Sequence, residues 1–320
     1  MDERIAYINS KGLVFDAILA GVPQDAEPRR RYLQYVVSRY GAYNITWEVA
    51  QQFEDLPNAR DTVKDIGQTI ARLDQYKHPR TAGAKVTSTP TLPDRWATHA
   101  SYGTTDEQIG AIEHQLYAVP FVNAGVAGQS ADEFRHKLWN ASMNGQYPTC
   151  STRPAESKVI TAWYDFFADT RHWELEPYYD VDGGRAVALE GVEYILYVEK
   201  PSGPVEVRVE KHGYDVAWFN PENGEFIRLK NWKGERYAGE PPDTKHDWVL
   251  YLSREGKKES MLNSWKFESR PILMQEVEQS VAKIPFKIDE PAKDDLSASK
   301  PQPYKLTLTK QTRGTRWMYY

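Results

Sequence analysis

The chain has 320 residues, 40% of them hydrophobic, which suits one large domain or two to three smaller ones. Its 45 acidic residues outnumber its 40 basic ones, giving a formal charge of −5, and no basic block stands out, which argues against nucleic-acid binding. The single cysteine, Cys150, excludes an internal disulfide framework and a cysteine zinc site, and no stretch reaches the roughly 18 apolar residues of a membrane span.

In chain order, Leu13–Ala20 reads as a buried strand ending at Gly21 and Pro23, and Pro28–Tyr40 as a helix. Tyr43–Ala50 is again strand-like, rich in β-branched and aromatic residues. A helix follows with Val63, Ile66, Ile70 and Leu73 on one face. Lys85–Ser88 and His99–Tyr102 are weaker strand candidates. Thr105 with Gln108, and Ser130 with Glu133, have capping-box spacing and start two more helices. Val119–Asn123 and Gln146–Cys150 are short extended runs, and Ser157–Thr170 is a helix.

Strands alternating with helices predict parallel strands joined by helical crossovers. About six such units precede residue 173, whereas a closed (β/α)8 barrel has eight. The expected fold is therefore an α/β TIM-type barrel that begins near its third strand and lacks the first two. An open doubly wound sheet is the alternative. No Gly-rich phosphate loop follows any strand, which counts against a dinucleotide-binding version.

Character changes near Val181–Gly184. Val205, Val207 and Val209 alternate with Glu206, Arg208 and Glu210, and Pro221–Gly224 is a turn between Asp215–Phe219 and Glu225–Leu229. With Asp247–Leu252 these predict an all-β, antiparallel sandwich over 181–256. The barrel portion is then 1–175, and 257–320 is a β-type tail with strands at Ile284–Ile288 and Tyr304–Thr309 and a strand-like run at Trp317–Tyr320.

Four segments, Arg39–Glu48 (Arg-Tyr-Gly-Ala-Tyr-Asn-Ile-Thr-Trp-Glu), Tyr76–Arg80, Pro120–Asn123 and Phe134–Trp139, occur in an order that resembles the catalytic barrel of apiosidase-like glycoside hydrolases. Trp218–Gly224 and Asp247–Leu250 resemble the β domain, labelled collagen-binding, that commonly follows this barrel. The resemblance covers roughly residues 1 to 255. It implies a carbohydrate-active barrel, usually exported, acting on plant or microbial polysaccharide. The sequence Met1-Asp2-Glu3-Arg4 is not a signal peptide.

Glycosidases of this kind use two carboxyl groups, placed in this fold at the C-terminal ends of strands. Aligned on Trp47, one expected acid falls at Gln52, which cannot donate a catalytic proton at neutral pH. The second falls after Asn123, at Gly125. Three readings follow: a sugar-binding pseudoenzyme; a hydrolase using other carboxylates, with Glu48, Glu54 and Asp106 as candidates; or a chain without present activity. Glu48 is the remaining candidate catalytic residue, and Asn44, Trp47, Tyr102 and Asn123 are the candidate substrate-binding residues. His78 and Arg80 sit where the barrel's N-terminal, stabilising face is expected. His99, His114 and His136 lack metal-ligand spacing, so neither a metal nor a cofactor is expected. The expected partner is an oligosaccharide or polysaccharide.

Overall fold

The computed structural model describes residues 1–103, 109–150 and 157–256, with the strands Phe286–Ile288 and Leu306–Leu308. The chain divides into two compact units, 1–258 and 259–320.

The first unit opens with helix α1 (Asp2–Ser10), unannounced by the sequence because Ile5 is its one buried residue. Parallel strands and helices then alternate: β1 (Phe15–Ile18), α2 (Ala26–Tyr40), β2 (Ile45–Glu48), α3 (Ala59–Leu73), β3 (Arg80–Thr81) running through Ala82 into β4 (Gly83–Ala84), β5 (Ala100–Tyr102), α4 (Ile109–Tyr117), β6 (Phe121–Val126), α5 (Ala131–Met143), β7 (Gln146–Cys150) and α6 (Ser157–Ala168). Every neighbouring pair is parallel, and the spatial order follows the chain order without reversal. A doubly wound sheet reverses its order at a switch point, and this one does not. Among the described residues no pairing joins β7 back to β1.

The expected strand at Lys85–Ser88 is displaced. The ladder instead uses Arg80–Ala84, with Trp47 opposite Arg80 and Gly83 opposite Ser101. Lys85–Ser88 is the loop that follows, where the Glu54 carboxylate takes the backbone N–H groups of Lys85 and Val86. Ser130 caps α5 by accepting the Glu133 N–H at 3.1 Å, while the Glu133 carboxylate accepts from Gln129 N–H. The capping pair Thr105 and Gln108 lies outside the described residues, as does Asp106.

From Glu176 the chain turns antiparallel, with β8 (Glu176–Tyr178), β9 (Val181–Asp182), β10 (Arg185–Leu189), β11 (Glu193–Val198), β12 (Val205–Phe219), β13 (Phe226–Arg228), β14 (Trp232–Gly239) and β15 (Trp248–Arg254). Rather than two separate sheets, these form one eight-stranded sheet. The long strand β12 belongs to both parts: its first half pairs with β9 and β14, its second with β13 and β15, and the register shifts between Arg208 and His212. Bulges bend a strand and increase its twist. Val205, Val207 and Val209 from one half pack with Trp218, Leu250 and Leu252 in one core. On the opposite face Trp139, Phe166 and Phe167 of α5 and α6 meet Val187, Ile195, Tyr197, Val249 and Tyr251.

In the second unit, β16 (Phe286–Ile288) and β17 (Leu306–Leu308) pair antiparallel, inside the two runs read as strands. The run Trp317–Tyr320 lies outside the described residues.

Candidate functional site

A cleft of about 530 Å³ opens where the parallel strands end. Ile18 of β1, Glu48 of β2, Gly83 and Ala84 of β4, Tyr102 of β5, Ala124 of β6 and Thr149 of β7 all line it, with Asp16, Gln51, Gln52, Lys85 and Gly103. Parallel strands place their last side chains around one mouth, which is why a cleft forms at this end.

Glu48 is 7% exposed. On a parallel pair in which Ile18 lies opposite Glu48 and Asp16 opposite Thr46, the side chains of 16, 18, 46 and 48 share one face. The carboxyl groups of Asp16 and Glu48 meet there. Burial, then the charge of Asp16 and the hydrogen bond to it, push Glu48 up to about 8. Asp16 is also raised by burial of its inner side, against the opposing effect of the Thr46 hydroxyl, which donates to it at 2.7 Å. Asp16 lies one strand further out and is solvent-exposed. Sequence reasoning passed over it; its one signal is a carboxylate inside the apolar run Leu13–Ala20, two residues before Ile18.

The other sequence candidates separate. Gln52 lines the cleft beside Gln51. Gly125 does not line it. It sits where β6 slips register between Ala124 and Val126, at φ +106°, and donates its N–H to Thr149. That backbone suits glycine, so Ala124 is the residue that faces the cleft. Tyr102 reaches the cleft wall but is 1% exposed, with its hydroxyl bonded to Glu113 and its ring packed 4.4 Å from Phe121. Asn123 is buried and donates to Gln146 at 2.8 Å. Trp47 points out of the cleft, fully buried, with Nε1 donating to Asp74 at 3.1 Å. Asn44 precedes β2 and lies at the opposite end of the sheet, where its N–H donates to Asn9. Glu54 anchors the loop at Lys85 and Val86.

At that opposite end Asp74 gathers Trp47, the His78 N–H and the His78 ring, while Arg80 donates to the carbonyls of Trp96 and His78. Burial pushes His99 down to about 4, leaving it neutral. No cluster of His, Cys, Asp and Glu suited to a metal occurs among the described residues.

The fold is that of glycoside hydrolases. A structure described as a glycoside hydrolase superposes with a TM-score of 0.66 at 14% identity, covering 80% of this chain and 76% of that one. A glycoside hydrolase family 5 structure from Bacteroides vulgatus gives 0.66 at 13%, over 79% of this chain and 74% of the other. A third structure, from the same organism, gives 0.65 at 14%, over 79% of this chain and 62% of the other. Neither the family models nor the curated proteins compared gave a match. No helix among the described residues is long and apolar enough to cross a membrane.

Proposed function

We propose that this chain is a glycoside-hydrolase-like protein of the apiosidase-like type that holds an oligosaccharide in the cleft at its strand ends without cleaving it. On this reading 1–175 is a TIM-barrel portion. Residues 181–256 form the collagen-binding-type β domain, its single bent sheet closing on one core, and 257–320 are a β-type tail. The observation that carries the proposal is the cleft's lining. Two glutamines, Gln51 and Gln52, stand on the loop after β2, and Ala124 on β6, where a glycosidase would set its two acids. The carboxyl pair that does line the cleft is in direct contact, closer than the roughly 5 to 10 Å that separates a nucleophile or base from a general acid across a glycosidic bond. Amides and hydroxyls remain, and these bind sugar hydroxyls without needing to ionise.

A second reading is hydrolysis served by Glu48, which is favoured by its retention of a proton near neutral pH, as a general acid requires. One experiment separates the two. The unmodified chain and the variants Gln52→Glu with Ala124→Glu, and Gln52→Glu with Gly125→Glu, are screened against pectic and hemicellulosic oligosaccharides for binding and cleavage. The expected result is binding without cleavage by the unmodified chain. Cleavage that is lost in Glu48→Gln would establish the second reading, and absence of binding by every form would sink the first. Gly125→Glu is expected to be the poorer restoration, because a side chain at φ +106° is strained.

A further inference from the structure

The floor of the cleft is chemically one-sided. Glu48 is more than nine-tenths buried and opens into the cleft, and no N–H or basic group donates to its carboxyl among the described residues. Its carboxyl neighbour is Asp16, which accepts from Thr46 and lies on the neighbouring strand. The charged groups facing the pair from the surrounding elements do not neutralise it. Lys85, after β4, is held by Asp55, and Glu54 is turned to the backbone N–H groups of Lys85 and Val86. Glu113 of α4 is engaged by the Tyr102 hydroxyl. The close approach is built in: a Cβ on Gly83 would lie 2.5 Å from Glu48 Oε1 and 2.4 Å from the Gln51 carbonyl, so glycine leaves the room in which the carboxyl sits.

We propose that Asp16 and Glu48 act as one proton-sharing unit that selects a neutral glycan, donating to one sugar hydroxyl and accepting from another, and that rejects glycans bearing uronic acids. The proposal rests on the oligosaccharide-binding reading above. Two touching carboxyl groups without a cation hold one proton between them, so the unit carries about one negative charge at neutral pH. A neutral diol matches its donor and acceptor, whereas a uronate brings a like charge into a partly desolvated cleft.

The test is calorimetric binding of xylohexaose, cellohexaose and hexagalacturonate to the full chain. At pH 6.5 at least one neutral hexasaccharide is expected to bind at least tenfold more tightly than hexagalacturonate. That affinity is expected to fall at least tenfold by pH 9.5, as the shared proton is lost. Glu48→Gln, which keeps a donor beside Asp16, is expected to bind the neutral sugar with little pH dependence. Glu48→Gln with Asp16→Asn is expected to bring neutral and acidic ligands within about threefold. Equal or tighter binding of hexagalacturonate by the unmodified chain, or a flat pH profile, overturns the proposal. If no glycan binds, glycan selection falls together with the binding reading. Carboxyl ¹³C titration then judges the pair by itself: one carboxyl protonated above pH 6.5 supports proton sharing, and two ordinary titrations overturn it.

Discussion

Glu48 links a single side chain to the pH behaviour of the whole fold. Its folded value, near 8, lies above the ordinary value of 4.5, so the folded state binds the proton more tightly than the unfolded chain. Stability from this group is therefore fully present below about pH 4.5, is lost as pH rises through about 8, and is level beyond. Thermal melts from pH 5 to 9 should show the melting temperature of the unmodified chain falling relative to that of Glu48→Gln; parallel profiles would contradict this. Gly83→Ala should push the Glu48 carboxyl or the Gln51 carbonyl out of place. Overpacking of this kind costs about 1–3 kcal/mol, measurable by urea unfolding. Of these contacts, the sequence displays Glu48 at a strand end, but not Asp16 beside it, because their meeting depends on the register of β1 against β2.

Helix α3 shows why an element's composition is decided by what lies against it. Gly67 is in its buried face with Val63, Ile66 and Ile70, and glycine in a helix interior ordinarily costs about 1 kcal/mol against alanine. Here a Cβ would fall 2.2 Å from the Trp96 indole, so the glycine is the site into which Trp96 packs. Gly67→Ala is expected to destabilise by about 1–3 kcal/mol despite the better helix propensity. An unchanged or raised urea midpoint would show that Trp96 yields freely. The apolar period of α3 was legible in the sequence. The role of its glycine was not, since Trp96 comes from a loop 29 residues further along.

At the scale of the molecule, the parallel strands and the antiparallel sheet are joined through α5. Arg135, 5% exposed, donates through Nε and Nη2 to Asp247, 3% exposed, which also accepts from the Tyr197 hydroxyl at 2.8 Å. Trp139, one turn along α5, stacks on Tyr197 with centroids 5.7 Å apart. The two segments that looked like separate motifs, Phe134–Trp139 and Asp247–Leu250, are thus halves of one contact. Removing Asp247 leaves the buried Arg135 guanidinium only the exposed Asp132, which accepts from its Nη1 at 2.8 Å, so Asp247→Ala should cost about 2–3 kcal/mol. Arg135→Met with Asp247→Leu, which removes both charges, should restore much of that in urea unfolding. Equal losses in the single and double variants would mean that the pair contributes packing alone.

The alternation of apolar strands with amphipathic helices, the later change to period two, and the turn at Pro221–Gly224 are local patterns, and the amino-acid order by itself determined them, because each is dictated by which face of a short segment must be buried. It also determined that Gln52 cannot act as a proton donor, since that is a property of the amide. Tertiary structure decided the rest. It brought Asp16 to Glu48 across a parallel pair, turned Trp47 and Asn44 away from the cleft, and replaced Gly125 by Ala124 at its wall through a one-residue slip in β6. It also drew two expected sheets into one through a bent strand. Register, bulges and strand ends are set by pairing with distant chain, which no local pattern encodes.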